Sequence, residues 1–232
     1  MATIDWYKKI PKKYLTESHN PHFKEHGIKV PFRMLIVGSS GSGKTQTFMS
    51  LLHKMPDTFE KVYIVTLNKD EPLYNYLHDK YGDEKKGKLV EIREIGKEGM
   101  PDLDKFNKEQ QTLVVMDDLI NQKNQAPMVD YFIRARKKNA SLIYISQSYY
   151  QIPKMIRNNV TYILLKQVSS LRNLQMIMRE YGFGLKKKVI QDMYEESTAN
   201  RGFLLIDLEN QEGKTFRKGW EDYFELEAGD KE

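Results

Sequence analysis

Early in the chain, Gly38-Ser39-Ser40-Gly41-Ser42-Gly43-Lys44-Thr45 fits G-x-x-x-x-G-K-[ST] at every fixed position. Glycines so spaced let successive backbone N–H groups turn inward on one anion, and a following helix adds the positive end of its dipole. In this pattern the lysine reaches the β- and γ-phosphates of a nucleoside triphosphate, and the next hydroxyl ligates Mg²⁺. Lys44 and Thr45 take those two places. Some seventy residues later, Asp117-Asp118 end the apolar run Leu113-Val114-Val115-Met116. Asp117 would hold Mg²⁺, directly or through water, and Asp118 would polarise the attacking water. The plainer role for Asp118 is a helix N-cap before Leu119. Gln147 follows a second apolar run, Leu142-Ile143-Tyr144-Ile145. Its amide can accept from the attacking water and donate to phosphate; the plainer role is the first residue of a loop. Arg134, Arg136 and Arg157 are candidates for the cation that stabilises the transferring phosphoryl group, against DNA-backbone contact or ordinary surface.

These residues need elements to hold them. Met34 to Val37 reads as a buried strand, and Gln46 to Met55 as a helix closed by Pro56. Lys61 to Thr66 is a second strand, rich in β-branched and aromatic residues. Glu71 to Tyr81 fits a helix, 82–87 a polar loop, and Leu89 to Ile95 a third strand. Thr112 to Met116, Leu142 to Ile145 and Val160 to Leu165 are further strands. Ser170 to Tyr181 is a helix broken by Gly182-Phe183-Gly184. Arg201 to Asp207 and Lys214 to Lys218, joined by a turn at 209–213, form a terminal hairpin. The aromatic group Trp220, Tyr223 and Phe224 fits core or subunit contact better than DNA stacking. Strands separated by helices, opening with a phosphate loop, give an α/β fold. Its sheet is mostly parallel, covered on both faces and extended by an antiparallel edge hairpin. Ligands of such sheets bind beyond the carboxyl ends of the strands. Asp117 and Asp118 then stand beside the phosphate loop, and Gln147 joins them if its strand is a neighbour. Arg134 and Arg136 precede that strand and lie away from their own subunit's phosphates, which suits donation to a neighbour. Arg157 follows Gln147 and is placed on the nucleotide side.

The 232 residues are 40% hydrophobic and 30% charged, which fits a folded globular domain. Residues 1–30 read as an arm and 31–232 as the phosphate-loop domain. The chain lacks cysteine, so disulfides and thiolate metal sites are excluded. His19, His22 and His26 have no acid or thiol partners at metal-site spacing and read as surface residues. Met1 to Pro11 has no apolar core, so no signal peptide is expected, and no stretch is apolar over a membrane-spanning length. A net charge of +5 conceals segregation. Residues 131–191 hold twelve Lys/Arg against one Asp/Glu, whereas 192–232 hold five against twelve. Such a basic segment is the footprint of a polyanion, and Lys186, Lys187 and Lys188 are its densest run. An acidic tail that pairs with this face is the plainer account.

The phosphate loop alone indicates only a nucleotide-binding protein. Adding Asp117-Asp118, Arg136-Lys-Lys-Asn-Ala-Ser141, Ile143-Tyr-Ile-Ser-Gln-Ser-Tyr-Tyr150 and Ile156-Arg-Asn-Asn159 narrows the choice. Over about Arg33 to Lys166 the chain resembles the genome-packaging ATPases of large DNA viruses and virophages. They are a branch of the FtsK/HerA superfamily close to the poxvirus type. Lys137 departs from the histidine common at that place. The resemblance implies a RecA-like additional-strand fold with Walker A and Walker B motifs and Mg²⁺-dependent ATP hydrolysis. It further implies a homo-oligomeric ring, hexamer or pentamer, with sites between subunits, and translocation of double-stranded DNA into a capsid. A capsid portal or vertex protein is the implied further partner, and the host-cell cytoplasm, its virus factory and the virion are the implied locations. A cellular FtsK/HerA-type translocase or helicase shares the same core. A nucleotide-gated scaffold or switch without sustained turnover is the alternative of another class.

Overall fold

The computed structural model describes residues 4–11, 15, 17–82, 89–210 and 214–231. The expected polar loop at 82–87 and the turn at 209–213 therefore lie largely outside the described residues.

Among the described residues, nine strands form one sheet in the order β3-β2-β4-β5-β1-β6-β7-β8-β9. They are β1 Arg33–Val37, β2 Lys61–Thr66, β3 Leu89–Glu94, β4 Thr112–Asp117, β5 Ala140–Ser146, β6 Tyr162–Leu165, β7 Leu204–Asp207, β8 Phe216–Lys218 and β9 Asp222–Tyr223. The first six run parallel. The last three continue the sheet antiparallel from β6. The helices are α1 Phe23–His26, α2 Lys44–Lys54, α3 Pro72–Tyr81, α4 Ile95–Glu98, α5 Ala126–Arg134, α6 Lys154–Arg157, α7 Leu171–Tyr181 and α8 Lys187–Thr198.

Strand alternation divides the interior in two. Met34 and Ile36 of β1 join Leu113 and Val115 of β4 and Ile143 and Ile145 of β5 on one face, under Phe48 and Leu51 of α2 and Tyr74 and Leu77 of α3. Leu35, Val37, Val114, Met116, Leu142 and Tyr144 face the other way, under α5, α7 and α8. Because both faces are covered, β5 is buried at all seven positions. Each aliphatic side chain so buried contributes about 1.5–3 kcal/mol against exposure, and no alternating pattern survives in the sequence.

Register aligns the carboxyl ends that matter. Val37 pairs with both Ser146 and Leu165, and Asp117 pairs with Ile145. Strand β5 is the extra strand between the phosphate-loop strand and the acid-bearing strand, as the additional-strand class requires.

Several expectations need correction. The sequence pattern shows nothing of helix α8 beyond its basic start. Strand β7 begins at Leu204 rather than Arg201, because Asn200 and Arg201 hold left-handed backbone angles. His26 is 2% exposed, not a surface residue. Its Nδ1 accepts from the Ile28 amide, and burial, with the Lys54 charge adding, lowers its pKa to about 4. Residues 18–30 do not stand off as an arm either. Ser18 bonds Asn139 Oδ1 at 2.7 Å, and the Lys29 amide bonds the Tyr162 hydroxyl at 3.1 Å. Of the aromatic group, Trp220 is core as expected, packed edge-on against Phe203 with centroids 4.7 Å apart.

Candidate nucleotide site

The loop 38–43 leaves β1 and enters α2, and each end is fixed by a different demand on glycine. A Cβ on Gly38 would lie 2.5 Å from Lys166 Cβ and 2.6 Å from Ser42 Oγ, so no side chain fits there. Gly43 has φ +87°, a region that costs a side chain about 1–2 kcal/mol. The Gly38 amide donates to the Ser146 carbonyl at 3.2 Å and the Ser39 amide to the Gln167 carbonyl at 2.9 Å. The loop is thereby suspended between the ends of β5 and β6. Lys44 Nζ donates to the carbonyls of Gly38 and Ser39, 2.9 Å each, across the mouth of the loop. Burial lowers the Lys44 pKa, and the charges of Asp117 and Asp118 counter it. Ser42 Oγ is buried with no hydrogen-bond partner. An orphaned hydroxyl and a cation held only by neutral carbonyls, at a helix start, fit a polyphosphate.

Asp117 lies on the α2/α3 side of the sheet, where Oδ2 accepts from the Tyr74 hydroxyl at 2.7 Å. The Thr45 hydroxyl lies near the same buried phenol. Burial raises the Asp117 pKa, and the Tyr74 bond opposes that rise. Among the described residues no three His, Cys, Asp or Glu side chains converge on a metal position. A Mg²⁺ ion would therefore take Thr45 and Asp117 together with phosphate and water oxygens, a donor set of hard oxygens that suits it.

Asp118 sits at φ +54°, immediately before a short 3₁₀ turn over Leu119–Asn121, and its side chain makes no capping bond. The carboxylate instead accepts from Gln147 Nε2 at 3.2 Å. Strand β5 does neighbour β4, so Asp117, Asp118, Gln147 and the phosphate loop converge at one end of the sheet.

The arginines separate. Arg134 bonds Asp104 at 2.6 Å and Asp130 at 2.8 Å, both exposed pairs of small worth. Arg136 is exposed and, among the described residues, has no carboxylate partner; it stands near Arg33 at the amino end of β1. Arg157 is not on the nucleotide side. The crossover returns it toward the amino ends, where the Thr161 amide bonds the Arg33 carbonyl at 2.7 Å. It is 8% exposed, ion-paired to Glu180, bonded to the Ile152 carbonyl at 3.1 Å and stacked near Tyr149. Those contacts make it a core residue.

The lysine run is also partly engaged. Lys186 Nζ donates to the Gly229 carbonyl at 2.8 Å and Lys188 pairs with Asp192 at 2.6 Å, which leaves Lys187. No described helix is long and apolar enough to cross a membrane.

Two residues of the site escape a reading of the sequence. Tyr74 gives no signal, being one aromatic among several on a helix. Lys166 has one: it ends an apolar strand, as Asp117 and Gln147 nearly do. Its stem fills the space beside Gly38 and its ammonium is bonded to the Arg201 carbonyl. Burial lowers its pKa.

Relatives place this geometry. The DNA packaging protein OPG160 of Variola virus is 23% identical over 73% of this chain, and so is that of Vaccinia virus strain Western Reserve. The chain spans 65% of the length of these proteins, just under two thirds. Among solved structures, the genome packaging NTPase B204 from Sulfolobus turreted icosahedral virus 2, in complex with ATP-gammaS, superposes with TM-score 0.52. It is 16% identical, and the match covers 82% of this chain and 97% of that one. The cytoplasmic domain of EssC gives TM-score 0.51 at 14% identity, over 68% of this chain and 35% of that one. At such identities the likeness is one of fold. The family model for the Poxvirus A32 protein matches residues 20–210, and the chain belongs to that family.

Proposed function

We propose that this chain is an ATP-hydrolysing motor that moves viral double-stranded DNA into a capsid. The observation that carries the reading is the convergence of Lys44, Thr45, Asp117, and the Asp118–Gln147 pair at the aligned ends of β1, β4 and β5. Relatives named as DNA packaging proteins, and a like-folded genome packaging NTPase solved with ATP-gammaS, support it.

The chemistry follows from what the side chains present. The amides of 38–43 and the Lys44 ammonium bind the β- and γ-phosphates, and Lys44 exchanges two carbonyl partners for phosphate oxygens as it does so. Thr45 and Asp117 would hold Mg²⁺, which when bound neutralises phosphate charge and orients the γ-phosphoryl group. Tyr74 fixes the Asp117 carboxylate. Asp118 accepts a proton from the attacking water, while Gln147 donates to Asp118 and orients that water. One cation is still missing at the γ-phosphate, and Arg136 of a neighbouring subunit in a ring supplies it. The ring is a pentamer or hexamer. The motor works in the host-cell cytoplasm, at the virus factory, docks on a capsid portal or vertex protein, and enters the virion with it.

The test is phosphate release with and without duplex DNA. A motor accelerates on DNA, and Asp118→Asn keeps ATP binding while losing turnover by about a hundredfold or more, the scale of a positioned base. A wild-type rate indifferent to DNA, or normal hydrolysis by Asp118→Asn, would overturn the assignment.

A further inference from the structure

Between Tyr131 and Gln191 the chain has a single acidic residue, Glu180, among twelve Lys/Arg. Its carboxylate is spent inward, paired with Arg157 and bonded by the Tyr149 hydroxyl. The opposite side of α7 is therefore left without negative charge. It forms one wall of an open cleft of about 810 Å³, whose cations are Arg172, Arg179 and Lys187. Among the described residues none of the three meets a carboxylate, and all three are exposed. The nearby acids are engaged elsewhere: Asp192 with Lys188 and Glu195 with Gln191. The Arg172 guanidinium carbon sits over the Tyr150 ring, 3.5 Å from its centroid, which holds the group without neutralising it. Phe183, 58% exposed, stands at the cleft edge.

We infer that this α7 cleft, rather than the lysine run 186–188 as a whole, grips the phosphate backbone of duplex DNA; the inference rests on the motor reading above. Planar guanidinium groups take phosphate oxygens in pairs, and exposed cations without partners give up only water and counterions on binding. Seven residues separate Arg172 from Arg179, about 10.5 Å along the helix. Two helical turns apart, the two guanidinium groups share one side of α7 and reach the backbone at separate points. The chemistry offers charge and no base-edge reader beyond Gln175, so binding is indifferent to sequence.

The cleft is also wired to the nucleotide end. The buried Asn173 accepts the Tyr150 amide at 3.1 Å, and Tyr150 is three residues beyond Gln147. A phosphate drawn onto Arg172 pulls on the Tyr150 ring beneath it and so on the segment that carries Gln147.

Fluorescence anisotropy of a labelled duplex, titrated at several salt concentrations, tests this. Arg172→Ala/Arg179→Ala should weaken binding at least tenfold at low salt. It should also reduce the log–log salt slope by about 0.9 for each phosphate no longer neutralised. Lys188→Ala, which removes an already paired charge, should change neither appreciably. Binding of a fluorescent ATP analogue should stay within twofold in both variants, which also reports that they fold. Arg172→Lys should restore affinity but not the DNA stimulation of phosphate release, since a compact ammonium cannot replace a planar guanidinium over Tyr150. If wild type binds no duplex, the motor reading itself fails. If wild type binds and the double variant binds equally well with the same slope, only the cleft assignment falls. Unchanged DNA binding with loss of assembly in sedimentation would also overturn it and give the cleft to a neighbouring copy.

Discussion

Removing the Arg136 side chain should abolish turnover without disturbing the subunit that carries it. The guanidinium is exposed and has no carboxylate partner among the described residues, so Arg136→Ala should change stability by no more than about 0.5 kcal/mol. Its own nucleotide is out of reach. The seven residues of β5 separate the Arg136 end of the sheet from the Gln147 end, about 20 Å at the usual rise per residue. A cation given in trans is worth about a thousandfold or more in turnover, roughly 4 kcal/mol of barrier. Asp118→Asn carries the complementary defect, an intact Arg136 with a dead cradle. Each variant alone should be nearly inactive while binding ATP normally. In an equal mixture that exchanges subunits at random, about a quarter of interfaces join an intact cradle to an intact finger, whatever the ring size, so activity should return to about a quarter of wild type. The assay is phosphate release at saturating duplex DNA across mixing ratios. A mixture that stays dead, or an active Arg136→Ala on its own, refutes donation in trans by this residue. Arg134, whose two exposed ion pairs are cheap to break, would then be exchanged in the same way.

Lys44→Ala should weaken binding of a fluorescent ATP analogue about tenfold or more, the scale of losing charge-assisted bonds. Gly38→Ala places a methyl 2.5 Å from Lys166 Cβ and should cost about 1–3 kcal/mol in denaturant unfolding, whereas Gly41→Ala, which meets open space at φ +72°, should cost about 1–2 kcal/mol of backbone strain alone. Arg157→Ala should destabilise the fold by about 1.5–3 kcal/mol, by removing a buried guanidinium bonded to Glu180 and the Ile152 carbonyl, and no mixture with Asp118→Asn should recover more activity than Asp118→Asn mixed with wild type predicts for an innocent residue. His26 is held neutral with its pKa lowered from 6.5 to about 4, so the unfolded chain binds the extra proton between those values. Stability is then complete above about pH 6.5 and declines as pH falls toward 4, by about 3 kcal/mol, and His26→Gln should flatten that slope in urea melts across the window.

What the sequence discloses and what it withholds have physical reasons. The strands β1, β2, β4 and β5 are buried on both faces, so they read as short apolar runs, and three of the ends are marked by chemistry: Gly38, Asp117 and Gln147. Register then follows from packing, and the site assembles where those markers meet. Helix α8 is hidden because its start is lysine-rich and its buried positions, Ile190, Met193, Tyr194 and Ser197, mix apolar with polar. The fate of each arginine is not legible either. Arg134, Arg136 and Arg157 are alike in composition and differ only in carboxylate partners: Asp104 and Asp130, none among the described residues, and Glu180. Tyr74 is invisible for the same reason: its importance lies in contact with Asp117, forty-three residues away in sequence.

The adjacent acids illustrate how one strand distributes two tasks. Along β4 the odd positions Leu113 and Val115 point to the α2/α3 face and the even positions Val114 and Met116 to the other. Alternation therefore delivers Asp117 to the face that carries α2, beside Thr45 and under Tyr74, which is where a metal ligand must be. Asp118 ends the ladder. Its amide still bonds the Ile145 carbonyl at 3.1 Å, which ties it to β5, and its left-handed backbone turns the side chain to Gln147 rather than onward along the strand. The strand inserted between β1 and β4 makes this possible. It separates their axes by two inter-strand steps, about 9.6 Å, and its own end supplies Gln147 in the space between. Without β5 there, Asp118 would lose its Gln147 partner. The division of the pair into the metal-side and water-side acids of the proposed mechanism thus rests on pleat, register and one added strand.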